Sequence, residues 1–501
     1  MSLLKKISFC SIVVLMAGCT KRAHTAPYIN FSEVEGQAEH SPTPNPYQAP
    51  TQDPNQPLLT PTPDKPRPLP TLRTQKEHYV VQSGDTLKKI GYRYQILPEQ
   101  IAQANDITNP NLIYVGQELV IPPPTYSDPG PNFKIIPNSE LVYGPYAAQF
   151  DTKAVLEDYG GAITKYEEEV NGETLTGPEI LSDVARDYSV NPRLLISVLE
   201  HQSQWVTGNQ NGDEVYPMGY EELGYEGLYR QTAWAANELN RGYYLWRVKG
   251  IASWRLPDNI NVPINASINA GTAGIQHLFS QLLPYKPWTR AVSEDGLFAT
   301  YRGLFGYPFG YDYHPLIPED LTQPPLALPF EPGVTWAFTG GPHSGWDSGS
   351  AWAALDFAPP PGNLGCVASD EWVVAAADGR VVHSDEGAVV QSLDGDAYEQ
   401  TGWSLLYFHI ESRDRVEVGR QLKTGDRIGH PSCEGGFSTG THLHIARRYN
   451  GEWIPADQDI PFDLGGWISE GYGILYEGAL HRGSQTIRAE DRRTEDNLIQ
   501  H

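Results

Sequence analysis

Apolar and polar positions change rhythm several times along the chain, and each change predicts a different element. A first apolar run, Ile7 to Met16 behind Lys5 and Lys6, is too short for a bilayer, which takes about 20 residues. From Thr20 to Glu77 no apolar period survives among Pro, Gln, Thr and Ser, which predicts a disordered, partly polyproline linker over 20–77. Residues 78–122 alternate as a strand (78–82), a helix through Tyr94, a second helix opened by Pro98, and a strand over 118–121. A breaker run, PPPTYSDPGP, follows. Helical spacing then governs 132–325, as in Ile180, Val184, Leu194, Leu195, Val198 and Leu199. Beyond Pro329 the pattern shortens to β-branched and alternating runs between Gly and Asp turns, EWVVAAADGRVVHS, WSLLYFHIE and THLHIARRY, which predicts an antiparallel β unit over 329–482. A charged tail, 483–501, reads as disordered. The predicted fold class is therefore multidomain: a small βααβ unit, a mainly α middle region and a mainly β antiparallel C-terminal region.

Composition sharpens this picture in two respects. With 48 Gly, 42 Pro, 28 Tyr and 12 Trp in 501 residues, turns and aromatic contact surfaces outweigh long helices. The formal charge of -25 excludes nucleic acid as a partner, because a phosphate backbone demands a basic face.

Small residues Ala17 and Gly18 separate the N-terminal apolar run from Cys19. That order marks a signal peptide over 1–19, and LMAGC resembles a bacterial lipobox, which implies lipidation of Cys19 and an exported, membrane-anchored lipoprotein. Cys10 and Cys19 fall in this segment, so Cys366 and Cys433 remain for the folded protein. In an oxidising compartment they are expected to form one disulfide, the alternative being two buried thiols.

The βααβ unit, with VVQSGDTL and VGQELVIP, resembles a LysM domain along its whole length. The resemblance implies binding of N-acetylglucosamine-containing glycan, with Gly84, Asp85, Thr86 and Leu87 on one side of the sugar groove and Asn109, Pro110 and Ile113 on the other. In the middle region NPRLLISVLEHQSQW is similar to the helix of lytic transglycosylases and goose-type lysozymes that carries their catalytic Glu-Ser pair. This chain has Gln202 where that family has Glu, and an amide has no proton to give a leaving sugar oxygen. Glu200 lies on another helical face, so the middle region is expected to be non-catalytic.

The C-terminal unit holds the candidate chemistry. On a strand, His442 and His444 of HLH share one face, about 7 Å apart. Upstream stand His343, Asp356 in WAALDFAPP and His409 in LLYFHIE. These motifs, with VVAAADGRVV and KTGDRIGHPS, resemble in order the lysostaphin-type zinc endopeptidases. The resemblance implies one zinc ion held by His343, Asp356 and His444, with His409 and His442 as the catalytic pair acting on a water. The family usually sets its Asp four residues after the first His. Asp347 has that spacing, whereas Asp356 has the family's following context, and both stay open as the oxygen ligand. His383, His430 and His481 are expected to be packing or surface residues.

Together these readings predict a peptidoglycan endopeptidase tethered by Cys19 and acting on stem peptides or cross-bridges. The alternative is a non-catalytic peptidoglycan-binding lipoprotein that scaffolds or activates other wall hydrolases.

Overall fold

A computed structural model describes residues 61–208, 214–362 and 364–501. The predicted leader, Cys19 and most of the predicted linker lie outside these residues. Among the described residues no helix is long and apolar enough to cross a membrane.

The N-terminal unit is β1 (Glu77–Val80), α1 (Leu87–Tyr94), α2 (Pro98–Ala104) and β2 (Glu118–Ile121), the two strands pairing antiparallel. Thr86 caps α1 by accepting from the Lys89 N–H, and Pro98 occupies the first turn of α2, where no amide hydrogen is needed. Leu87, Ile90, Ile101, Leu119 and Ile121 close a small core.

The middle region contains α3 (Thr152–Tyr159), the hairpin β3 (Glu167–Val170) and β4 (Glu173–Thr176), α4 (Gly177–Tyr188), α5 (Pro192–Ser203), α6 (Leu228–Arg247), β5 (Ser253–Arg255), β6 (Asn261–Pro263), α7 (Ala270–Leu282), α8 (Tyr285–Ala291) and α9 (Leu297–Phe305). A capping box, Thr176 with Glu179, starts α4, and Asn191 caps α5. α5 is buried from Pro192 to Leu199, where Arg193 is paired with Glu140.

The C-terminal region is β throughout: β7 (Trp336–His343), β8 (Ala354–Ala358), β9 (Val373–Val374), β10 (Gly379–Asp385), β11 (Ala388–Ser392), β12 (Trp403–Phe408), β13 (Gln421–Leu422), β14 (Arg427–Gly429), β15 (Leu443–Tyr449), β16 (Glu452–Trp453), β17 (Asp463–Leu464), β18 (Trp467–Gly471), β19 (Gly478–Arg482), β20 (Gln485–Arg488) and β21 (Leu498–Ile499). The main sheet runs β13-β10-β11-β12-β15-β8-β7-β21, with β16 beside β15, and every pairing is antiparallel.

Strand alternation divides this sheet into two faces. Leu355, Phe357, Leu405, Tyr407, Leu443 and Ile445 build the core on one face. On the other, Ala354, Ala388, Val390, Leu406 and Ala446 join the core of the helical region. The small side chains among them let the helices approach closely. Polar contacts reinforce the junction: Trp453 N donates to the Tyr244 hydroxyl (2.9 Å), Tyr243 donates to Glu452 (3.0 Å), and Ser189 donates to the Gly451 carbonyl (2.7 Å). The helical and β regions share one core.

Two expectations of disorder are corrected. The tail after Gly483 forms β20 and β21, and β21 pairs with β7 because Ile487 and Ile499 enter the β core while Asn497 bonds the Phe338 backbone. The end of the predicted linker is fixed as well. Asp64 and Arg67 donate backbone N–H bonds to Ser267 and Ala266, and the Arg73 guanidinium bonds carbonyls at Tyr94, Ile121 and Pro122.

Candidate active site

Three adjacent strands deliver the central donors. His444 and Asp356 are register partners across β15 and β8, and Asp356 pairs with Gly340 across β8 and β7. Irregular register around Gly340 turns the end of β7 so that His343 reaches the same point. Gly340 also makes room, since a Cβ there would lie 2.6 Å from Asp356 Oδ2.

His343 Nε2 lies 3.0 Å from His444 Nδ1, and Asp356 Oδ1 lies 3.2 and 3.3 Å from those two nitrogens. All three residues are buried. The opposite ring nitrogens face backbone carbonyls, His343 Nδ1 to Gly341 (2.8 Å) and His444 Nε2 to Gly345 (3.1 Å). A carbonyl only accepts, so those nitrogens carry the protons and the converging nitrogens present bare lone pairs. Asp356 Oδ1 is itself buried without a hydrogen-bond partner.

These edges test the site for a metal. Four ligands at about 2.0 Å in a tetrahedron stand about 3.3 Å apart, so the triangle matches one tetrahedral face. An imidazole, imidazole and carboxylate set suits zinc, and the carbonyls behind the two rings are the outer contacts such ligands use. Electrostatics agree. Burial works to raise the Asp356 pKa, yet His343 and His442 hold it well below the usual carboxylate range. Burial likewise opposes charge on His343, but Asp356 more than offsets it and raises the pKa, whereas burial holds that of His444 down.

His409 and His442 form a second pair with ring centroids 4.5 Å apart, and His442 Nε2 lies 3.7 Å from Asp356 Oδ1. Both are oriented through Nδ1, His409 on the Glu434 carbonyl (2.9 Å) and His442 on the Gly440 carbonyl (2.8 Å), so that Nε2 is the opposite edge of each ring. His409 has φ +64°, a left-handed conformation costly for a side chain with a Cβ and common at functional sites. Burial, then the neighbouring His442 and His444, push its imidazole down to about 3, so it is uncharged at neutral pH. The Cys366–Cys433 disulfide, Cα atoms 5.8 Å apart, ties the β8–β9 connection to the β14–β15 connection that leads to His442.

Asp347 is exposed and stands apart from the cluster, and its Oδ2 accepts from the Tyr188 hydroxyl (3.0 Å). Of the remaining histidines, His430 is buried against Trp372 and bonds the Glu371 carbonyl, and His481 pairs with Glu470. Tyr476 carried no signal in the sequence. Its ring stacks on His343 (4.3 Å between centroids) and its carbonyl accepts from Gly341 N, which fixes the bend that delivers His343.

In the N-terminal unit Gly84 has φ +83°, Asn109 and Pro110 are exposed, and Ile113 is half-buried. Asp85 accepts from the Tyr79 hydroxyl and Gln82 N. Leu87 is 2% exposed and points into the core, so only its backbone can face a ligand. In the middle region Gln202 donates to the Met218 carbonyl, and Glu200 accepts from Val206 N, Thr207 N and the Thr207 hydroxyl, closing the turn after α5.

Comparison with known proteins agrees with this architecture. Residues 79–122 match the LysM domain model, 134–315 the model of the LasA N-terminal domain, and 352–455 that of peptidase family M23. The last range contains Asp356, His409, His442 and His444, with His343 just upstream. Protease LasA of Pseudomonas aeruginosa (strain UCBPP-PA14) is 25% identical over 349 residues, 63% of this chain and 74% of LasA. Beta-lytic metalloendopeptidase of Achromobacter lyticus is 27% identical over 164 residues, 31% of this chain and 39% of that protein. Among solved structures, the deep-sea M23 metalloprotease pseudoalterin aligns at 22% identity and a TM-score of 0.29, over 35% of this chain and 99% of its own. The chain therefore joins segments that match a LysM domain, a LasA N-terminal domain and a peptidase family M23 domain, and its similarity to LasA and to beta-lytic metalloendopeptidase supports a metalloprotease.

Proposed function

We propose that this protein is an exported peptidoglycan endopeptidase that hydrolyses peptide bonds in stem peptides or cross-bridges at one zinc ion held by His343, Asp356 and His444. The observation that carries the reading is the convergence of two bare imidazole nitrogens and an unpartnered carboxylate oxygen at 3.0–3.3 Å. A zinc ion bound there supplies Lewis acidity and brings the pKa of a water toward about 7.

The chain's own groups do the rest. His409, neutral and tied through its Nδ1–H, offers Nε2 to accept a hydrogen bond from the attacking water and orient it. His442, beside it, takes the water's proton, and the protonated imidazole becomes a donor to the carbonyl oxygen as negative charge develops there. The LysM domain holds glycan through Gly84, Asp85, Thr86 and the Leu87 backbone on one side and Asn109, Pro110 and Ile113 on the other. Lipidation at Cys19 tethers the enzyme to the membrane. Glu200 is committed to the turn after α5, so it is not available as a glycosidic acid.

Elemental analysis and peptidoglycan digestion test the proposal together. The wild type is expected to carry about one zinc per chain and to release new amino groups, and His343→Ala, Asp356→Ala and His444→Ala to lose both while Asp347→Ala still loads one zinc at saturating metal. A metal-free wild type that leaves peptidoglycan peptides intact would refute the enzyme reading and favour a wall-binding scaffold.

A further inference from the structure

The metal-site donors and the helical region occupy the same face of one sheet. Along β15, His444 and Ala446 point the same way, as do Asp356 and Ala354 along β8. Ala354 and Ala446 are register partners one step, about 7 Å, beyond the Asp356 and His444 pair, and both are packed into the helical core. The helical region thus forms the end wall of the active site.

Residues 344–351 run between that wall and the donors. One end of this loop touches the metal site, where the Gly345 carbonyl accepts from His444 Nε2 (3.1 Å). The other end is seated on α6 and α4. Asn237 Oδ1 accepts from Gly349 N (2.6 Å), and Asn237 Nδ2 and Arg241 donate to the Ser348 hydroxyl (3.3 and 2.8 Å). The Tyr188 hydroxyl donates to Asp347. Seating is close, since a Cβ on Gly349 would lie 2.0 Å from the Asn237 carbonyl oxygen. Between the two ends Trp346 packs on Tyr188 and on Phe408, which neighbours His409.

We propose that Asn237 and Tyr188 are positioning residues of the metal centre: by seating the 344–351 loop, the helical region fixes the Gly345 carbonyl on His444 and so aims the opposite ring nitrogen. A carbonyl behind a ligating imidazole sets its tautomer and rotation, and losing such a contact typically costs 10- to 100-fold in metal affinity. This inference rests on His444 being a metal ligand.

The test uses the full chain. Zinc affinity is measured by competition with a chromophoric chelator, and the ligand field by the visible spectrum of the Co(II)-substituted protein. Asn237→Ala, Tyr188→Phe and Gly349→Ala are expected to hold zinc about 10- to 100-fold more weakly and to shift the cobalt bands. Asn269→Ala removes the cap of α7 and is expected to lower Tm while leaving affinity and bands unchanged. Wild-type affinity and spectrum in folded Asn237→Ala and Tyr188→Phe would overturn the proposal, and so would equal losses in Asn269→Ala. A wild type that binds neither metal would instead sink the ligand reading beneath it.

Discussion

Replacing Gly340 with alanine adds one methyl group at the most crowded point of the metal site, next to a ligand rather than on one. That Cβ would stand 2.6 Å from Asp356 Oδ2, 2.9 Å from its Cβ and 3.0 Å from its Cγ. Ordinary contact needs about 3.4 Å or more, so the carboxylate must retreat by roughly 0.8 Å. Metal–ligand distances tolerate only about 0.2 Å, so the displacement is some fourfold too large to absorb. Neither Asp356 nor Gly340 can step aside freely, because both belong to paired strands inside the sheet. The expected result is at least tenfold weaker zinc binding and about 100-fold slower peptidoglycan peptide cleavage, the scale of loss that follows a misplacement near 1 Å. Zinc competition titration and amino-group release measure the two effects, with far-UV circular dichroism and Tm reporting on the fold. A folded Gly340→Ala protein with wild-type zinc affinity and rate would refute the reasoning that Gly340 exists to seat Asp356.

Other perturbations test separate parts of the structure. Metal removal by a chelator is expected to lower Tm, reversibly on zinc addition, because a ligand present at 100 times its Kd stabilises by about 2.7 kcal/mol; an unchanged Tm would count against a metal bound among these three residues. His383, pushed from 6.5 down to about 4 by burial and then by Arg186, stays neutral in the fold while the unfolded chain takes up a proton below pH 6.5. Its contribution, up to about 3 kcal/mol, is therefore present above pH 6.5 and lost as pH falls toward 4. Asp187, raised to about 6 chiefly by burial, acts in the opposite sense, so the difference between the denaturation profiles of wild type and His383→Gln isolates the histidine. Glu200→Gln is expected to cost about 1 kcal/mol through the turn it closes and to leave peptidoglycan products unchanged; loss of glycan cleavage products in that variant would restore a catalytic role to the middle region.

Local rules make much of the site legible in the amino-acid sequence. Period two places His442 and His444 on one face, and the Thr86 cap and Pro98 mark the helices of the LysM unit, because these signals depend on neighbours in sequence. Gln202 reveals a missing general acid for the same reason: the chemistry is in the side chain itself. The charged tail misleads, because sparse apolar residues such as Ile487 and Ile499 look solvated until a partner strand exists. Tyr476 and Gly345 give no local signal, since one acts through a ring stacked on His343 and the other through a backbone carbonyl.

Sequence by itself determined the order of the units, the residue types able to bind a metal, and the parity that lets paired strands present them. Tertiary structure decided the rest. It brings His343 to His444 across 101 residues, takes Asp356 into the cluster and leaves Asp347 outside it. It also joins the helical region to the very sheet face that carries the chemistry. Element type follows from local periodicity, whereas register, close approach at a glycine and the covering of a face follow from packing between distant segments, which no local window contains.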